Sequence, residues 1–540
     1  MLTLLVCATR IPFFAKTLFE FDSVNYAIAL FKFDLAQDTP QLPGYVLHVG
    51  IAKIIFAIVQ KFGGDANLAY VLESFFLSLG SVLFVWYAVR IGASRGAAFA
   101  AATVWALNPI FWFYGCVASV YAHEAFFTSA VAAIAIKYCT DSGRQRERIF
   151  FPVAMAVVIG FAGAARQTSL LFLAPVLIIA LWSIRAPLRA WIASLSVVAV
   201  ITAIWMTILF SLAGGFSKYI ELAHSLSIVQ YNSIFLHGTL TRHSDMIGKM
   251  ALYLIIGTSP YWTLGFILLL RHPRETRREI VRGLKTPIGR VLAAMIILPL
   301  AFYTFIFYAK PGYLLNISSV AAIGAAILAC RLNKDGLLKV VKPWAVTWCI
   351  VWVIYFIVPM PGKSIDAMHR ENAISTTSYD ASNRYPDSRA KIEAGVIKEF
   401  SYASSAGIAA FDNENEATLS MLQNLHSPEN RQVIIASRWG QWGMFYRPQS
   451  IVYDREILPD HPVSLFVGHN MIRKEIPDSV VLLAPYTEDV VLIMWEKHWA
   501  FPYIQSQVHL EKLPMPEYLD AWIITDEHFR LTINGTTFVR

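Results

Sequence analysis

The sequence predicts a polytopic α-helical membrane protein of about 11 spans, followed by an extracytoplasmic α/β or α+β domain. Three observations predict it. The chain is 56% hydrophobic and 15% charged, with mean hydropathy +0.50, more apolar than a soluble chain of 540 residues. Apolar runs close to bilayer-spanning length recur at 67–90, 96–113, 117–137, 149–165, 168–184, 189–213, 250–270, 288–308, 313–330 and 342–360. Beyond residue 360 the composition changes: 16 Lys or Arg stand against 23 Asp or Glu, so the net +8 divides into −7 there and +15 before it. The predicted division is therefore a membrane domain over 1–360, a linker over 361–386 and a soluble domain over 387–540.

The positive charge sits in short loops between apolar runs, which speaks for membrane topology and against a nucleic-acid partner. Alternate loops hold 19 and 5 basic residues, the rich set including the seven between Arg271 and Arg290. The basic side is predicted to be cytoplasmic, with a multi-pass chain in the plasma or inner membrane, its N-terminus inside and its C-terminal domain outside. Gly44–Phe62 looks apolar enough to span but carries His48, Lys53, Gln60 and Lys61, and counting it as a span would reverse every later loop. It reads as an interfacial or re-entrant helix, which makes residues 15–66 one extracytoplasmic loop. Leu2–Phe14, with Arg10 and Pro12, is short for a span, so either a tilted helix or a misassigned start is expected. The five cysteines all precede residue 360, leaving the exported domain without a disulfide framework.

The first loop concentrates acid. Of 14 carboxylates in the first 360 residues, Glu20, Asp22, Asp34 and Asp38 crowd into it, and a hydrophobic chain seldom keeps such a cluster without a use. Asp22 could equally cap a helix over Asn25–Phe31. Glu20 could orient Asp22, be merely solvated, or join it in holding a divalent cation such as Mg or Mn. That last arrangement needs an extended backbone, since side chains two apart on a helix diverge.

Arg166 ends a span on the side poor in positive charge, and Lys310 stands beside the Pro311-Gly312 turn on the same side. Both are candidates for an anion, with snorkelling to lipid headgroups as the rival for Arg166. His123 and Glu124 lie in or near a span, where an internal hydrogen bond competes with a substrate contact. The connection 214–248 carries His224, His237, Arg242 and His243 and reads as a long solvated loop, a lid over the site. Its histidine spacing matches no usual zinc set.

The order of these features resembles the GT-C glycosyltransferases that use polyprenyl-phosphate sugars, especially the group containing protein O-mannosyltransferases and the aminoarabinose transferase of lipid A. Glu20-Phe21-Asp22 resembles the family's acidic pair, and Asp22-Ser23-Val24-Asn25 continues in its manner. Gln41-Leu42-Pro43-Gly44-Tyr45 resembles its His-Pro-Pro-Gly-Tyr element, with Gln41 and Leu42 as departures. Asn108-Pro109 to Gly115, Gly163 to Gln167 and Lys310-Pro311-Gly312-Tyr313 resemble its outer helix ends. A carboxylate often found near position 116 is Cys116 here.

The resemblance, which covers residues 1–330, implies an inverting transfer to an extracytoplasmic acceptor, whether protein, lipid or glycan. It implies Asp22 as general base, supported by Glu20, and Arg166, Lys310, Gln167 and Tyr313 as holders of the donor phosphate. Asn25, Pro43, Gly44, Tyr45, Tyr121, His237, Arg242 and His243 would line the substrate cavity, with membrane lipid around the donor tail.

In the exported domain Arg431–Ser437, Gln449–Tyr453 and Val480–Ala484 read as strands and 387–427 as helical. Trp439-Gly440-Gln441-Trp442 would either pack in the core or stack on a sugar. Two rival functions stay open: a transporter or flippase, against which no inverted repeat is visible, and a catalytically inactive scaffold of the same fold.

Overall fold

The structure is a computed structural model. It describes residues 1–19, 21–35, 39–141, 147–231, 240–306, 310–332, 337–357 and 403–424. In the C-terminal part it describes 433–436, 445–446, 451–454, 463–467, 474–476, 480–482, 489–493, 501–514, 520–533 and 536–540. The chain divides into two compact units: residues 1–15, 42–359 and 402–406 form the first, and residues 16–41, 360–401 and 407–540 the second.

In chain order the helices are α1 (Leu2–Arg10), α2 (Phe21–Phe31), α3 (Val46–Val59), α4 (Ala66–Gly92), α5 (Arg95–Ala106), α6 (Pro109–Tyr114), α7 (Tyr121–Asp141), α8 (Glu147–Ala165), α9 (Gln167–Ser183), α10 (Leu188–Leu212), α11 (Phe216–Tyr231), α12 (Leu240–Gly257), α13 (Ser259–Arg271), α14 (Pro273–Lys285), α15 (Pro287–Phe305), α16 (Leu315–Leu332), α17 (Leu337–Ile357), α18 (Ser405–Asn424) and α19 (Phe501–Gln505). All but α2, α19 and most of α18 belong to the first unit.

Local sequence sets these boundaries. Asp65, Ser94, Asn108 and Thr286 cap α4, α5, α6 and α15, each side chain accepting from a backbone N–H three residues on. Pro109 and Pro287 stand at the first helical position, where a missing N–H costs nothing.

Among the described residues five helices are long and apolar enough to cross a membrane, or six if Met250–Gly257 and Ser259–Arg271, bent by 72°, count as one broken span. That is fewer than the number predicted from apolar runs. The run 96–113 is interrupted at Asn108-Pro109, 250–270 breaks where Pro260 enters the first turn of α13, α9 is 17 residues long, and α7 carries His123, Glu124, Lys137 and Asp141. α3 has 14 residues, about 21 Å, too short for a bilayer core of about 30 Å. α10 leaves Ile192, Leu195, Val200, Ile204 and Ile208 exposed along its length, a face suited to hydrocarbon. The segment expected as one long loop over 214–248 is instead helical in α11 and at the start of α12; residues 232–239 lie outside the described residues.

Within the second unit the first-loop segment is tied to α18. Lys16 and Thr17 donate their backbone N–H groups to Asp412 at 2.9 Å, the Thr17 hydroxyl donates at 2.8 Å, and Asn415 Nδ2 donates to Thr17 Oγ1 at 3.0 Å. Burial lifts the Asp412 carboxyl above the usual range, opposed by those donors.

The strands are β1 (Val433–Ala436), β2 (Ile451–Asp454), β3 (Val463–Val467), β4 (Lys474–Ile476), β5 (Val480–Leu482), β6 (Val490–Ile493), β7 (Leu510–Lys512), β8 (Ala521–Ile524), β9 (Arg530–Ile533) and β10 (Thr536–Val539). Seven form a mixed sheet in the order β4-β3-β2-β1-β6-β8-β7, and β5-β10-β9 form a second. β1 runs parallel to β2 and β6, with Val433 opposite both Ile451 and Val490. Val433, Ile435, Leu492, Trp522 and Ile524 pack with Phe501 and Ile504 of α19 in a buried core. β1, β2 and β5 fall on the three predicted strand runs; Trp439–Trp442 lie outside the described residues.

Candidate active site

In the first unit, Arg166 closes the gap between α8 and α9. Its backbone is extended, at φ −157°, as the N-terminal flank of α9, and its side chain turns inward to 6% residue exposure. Nη1 lies 3.2 Å from Oε1 of Glu124, which is 1% exposed in the first turn of α7. Ser169 and Asn316 are close enough to the same carboxylate to favour its charged form. A buried arginine needs such a partner.

Aromatic rings wall the guanidinium. Its central carbon lies 4.0 Å from the ring centroid of Tyr313 and 5.5 Å from that of Tyr121, whose rings are 5.3 Å apart. Tyr303 stacks on Tyr313 at 5.2 Å and 17°. Tyr45 is close enough to interact electrostatically with Arg166.

Tyr313 is delivered by a 3-10 turn, Pro311–Leu314, that follows Lys310 and whose N–H at Tyr313 returns to the Lys310 carbonyl at 3.0 Å. Gly312 is required in that turn, because a Cβ there would stand 2.4 Å from Cγ of Tyr121. Lys310 itself is half-buried. Gln167 donates from Nε2 to the Tyr219 hydroxyl at 3.0 Å and to the Pro43 carbonyl at 3.4 Å. Gly44 at φ 111° and Tyr45 at φ 41° then turn the chain into α3. For tyrosine this left-handed conformation is strained.

Arg166, Gln167, Tyr313, Tyr121, Tyr45 and Pro43 are thus brought into one neighbourhood. Chemically it offers a buried cation whose one ion pair among the described residues, from Nη1 to Glu124, uses one corner of a five-donor fork, flanked by tyrosines and an amide. An anion with several oxygens suits that set. His123 and Glu124, both candidates for an internal bond or a substrate contact, have partners inside the bundle. Asn316, in the Asn-Ile-Ser triplet, is buried against Glu124 and cannot carry a glycan.

Asp22 and Asn25 belong to the second unit. Asp22 is half-buried in the first turn of α2, a position that the helix dipole favours for a carboxylate, and Asn25 is buried one turn on. The backbone at Asp22 is helical, not the extended form that a shared Glu20–Asp22 cation site would need. Glu20 and His237 lie outside the described residues, and Arg242 and His243 stand on α12 with their side chains outside them.

One polar group escaped the sequence reading. Glu73, in the middle of α4, meets His48 Nδ1 and His123 Nε2 at 3.0 Å each, all three fully buried. A lone carboxylate inside a 27-residue apolar helix was the available signal. His48, taken as a polar mark on an interfacial helix, is buried too.

The family model described as the protein O-mannosyl-transferase TMEM260 N-terminal domain matches residues 22–189. Among solved structures the fold is similar to that of ArnT from Cupriavidus metallidurans bound to undecaprenyl phosphate. The TM-score is 0.58 at 11% identity, covering 97% of each chain. The apo form of the same protein gives 0.55 at 12% identity over 96% of each chain. Among curated proteins no sequence matches. The chain thus shares the fold of ArnT and matches the protein O-mannosyl-transferase family model over residues 22–189, in agreement with the resemblance read from its residues.

Proposed function

We propose that this integral membrane protein is an inverting glycosyltransferase that moves a sugar from a polyprenyl-phosphate donor to an extracytoplasmic acceptor. The observation that carries the reading is the buried Arg166, held by Glu124 and walled by Tyr121 and Tyr313 within a GT-C fold. The acceptor hydroxyl attacks the anomeric carbon, a new C–O bond forms, and the bond from that carbon to the phosphate oxygen breaks with inversion. Asp22 takes the acceptor proton. The lipid phosphate leaves as an anion and needs charge rather than a proton, which Arg166 and Lys310 supply, with Gln167 and Tyr313 as further donors. Unlike a glycosidase pair, this chemistry requires a single positioned carboxylate.

ArnT, whose fold the chain shares, is a protein seen with undecaprenyl phosphate; a lipid of that class as the donor's carrier agrees with the proposal. The test separates the two roles by kinetics. Arg166→Lys keeps the charge but not the planar fork, and should raise the donor KM by about tenfold with a smaller change in kcat. Asp22→Asn should lower kcat by at least about 100-fold and leave donor binding in place. Equal donor KM in wild type and Arg166→Lys, or unchanged kcat in Asp22→Asn, would refute the corresponding role.

A further inference from the structure

The cluster His48, Glu73 and His123 is outside the machinery just assigned. It joins three elements of the first unit, since His48 sits on α3, Glu73 on α4 and His123 on α7. The residues are 0%, 1% and 1% exposed, and one ligand atom from each can be chosen so that all lie within 4.8 Å of one another. Each carboxylate oxygen faces a single imidazole nitrogen, Oε2 toward His48 Nδ1 and Oε1 toward His123 Nε2, at 3.0 Å. Among the described residues Glu73 has no other hydrogen-bond partner.

Charge makes this arrangement unusual. Two neutral imidazoles and an ionised carboxylate leave one uncompensated negative charge in a buried site, which is costly. Arg166 is paired with Glu124, the residue after His123, and not with Glu73. The His48 and His123 rings meet edge-on with centroids 5.1 Å apart, so their nitrogens converge on the carboxylate from two directions. The His123 backbone N–H donates to the Val120 carbonyl at 3.1 Å, which holds the first turn of α7 while the ring presents Nε2 to Glu73.

We infer that His48, Glu73 and His123 bind one structural divalent transition-metal ion, with zinc the best fit. Two imidazole nitrogens and a carboxylate are a zinc donor set; tetrahedral ligands about 2.0–2.2 Å from the ion stand about 3.3–3.5 Å from one another, and the three ligand atoms, already within 4.8 Å, reach that spacing by small side-chain rotations. Full burial of all three ligands, on three different helices, makes the ion a clamp rather than a reagent, with the fourth position of the tetrahedron left to a water. It would pin the short helix α3 to α4 and α7, and because His123 precedes Glu124 it would fix the turn of α7 that holds Arg166. The inference stands apart from the transfer reaction and survives if that reading fails.

The test uses the full-length chain, purified in detergent through a tag that binds no metal. Elemental analysis should find about one zinc per chain in wild type and less than about a tenth of that in Glu73→Gln and His123→Gln. As a check independent of variant folding, wild type stripped by chelator and given Co2+ should develop visible ligand-field bands, and stripping should lower its melting temperature reversibly. Metal-free wild type with no Co2+ spectrum would overturn the inference, as would zinc retained in full by both variants.

Discussion

Glu124 and Arg166 constrain each other, and substitutions at them will not be equivalent. Truncating Arg166 to Ala strands a carboxylate that is 1% exposed, so a loss of about 3–5 kcal/mol of stability is expected along with lost donor use. Arg166→Lys, which keeps a cation there, should cost less, and thermal unfolding of the two variants side by side checks the difference. Gly312 gives a second contrast. Gly312→Ala forces a Cβ into the Tyr121 ring and should destabilise by about 1–3 kcal/mol while disturbing donor binding. Gly324→Ala, where nothing lies within 4 Å, should be silent or stabilise by about 0.5–1 kcal/mol. Equal melting temperatures for the two would contradict the packing described. At this scale Arg166 and Tyr313 were legible, because a cation on a cation-poor side and a Pro-Gly turn are local signals. Glu73 was not read: its meaning depends on His48 and His123, which lie 25 and 50 positions away in the chain.

Elements show why apolar runs and helices differ in their bounds. Hydropathy averages over Asn108-Pro109, where Asn108 before the proline leaves helical geometry, and over Thr258, the non-helical residue between α12 and α13. The connection 214–248 failed in the other direction: its polar side chains suggested a loop, but α11 and α12 have polar and apolar residues at helical spacing. α2 was legible through Asp22 at its start, which is why capping and catalysis competed as readings of one residue. The tie between residues 16–17 and α18 was invisible, since it joins positions almost 400 apart through Asp412. Asp412→Asn places an amide donor where three donors converge, and should cost about 1–3 kcal/mol. Faster proteolytic cleavage near residue 16, with other sites unchanged, would report the loosened segment.

For the whole molecule, composition and loop charge pointed to a membrane protein whose sequence changes in kind after residue 360, while residues 16–41 proved to cluster with the C-terminal unit. The order of motifs led to the GT-C superfamily, and the fold likeness to ArnT over 97% of each chain agrees. What remained illegible was the second sheet, β5-β10-β9, in which β10 pairs with a strand more than fifty residues earlier. Such pairings have no periodic signature. The central claim is transfer from a polyprenyl-phosphate sugar, and the fate of a radiolabelled pool of such donors in membranes tests it most directly. Wild type should release free polyprenyl phosphate and move label to a new carrier, while Asp22→Asn at equal abundance should do neither. No turnover of any donor by wild type, where a control transferase works, would contradict the account.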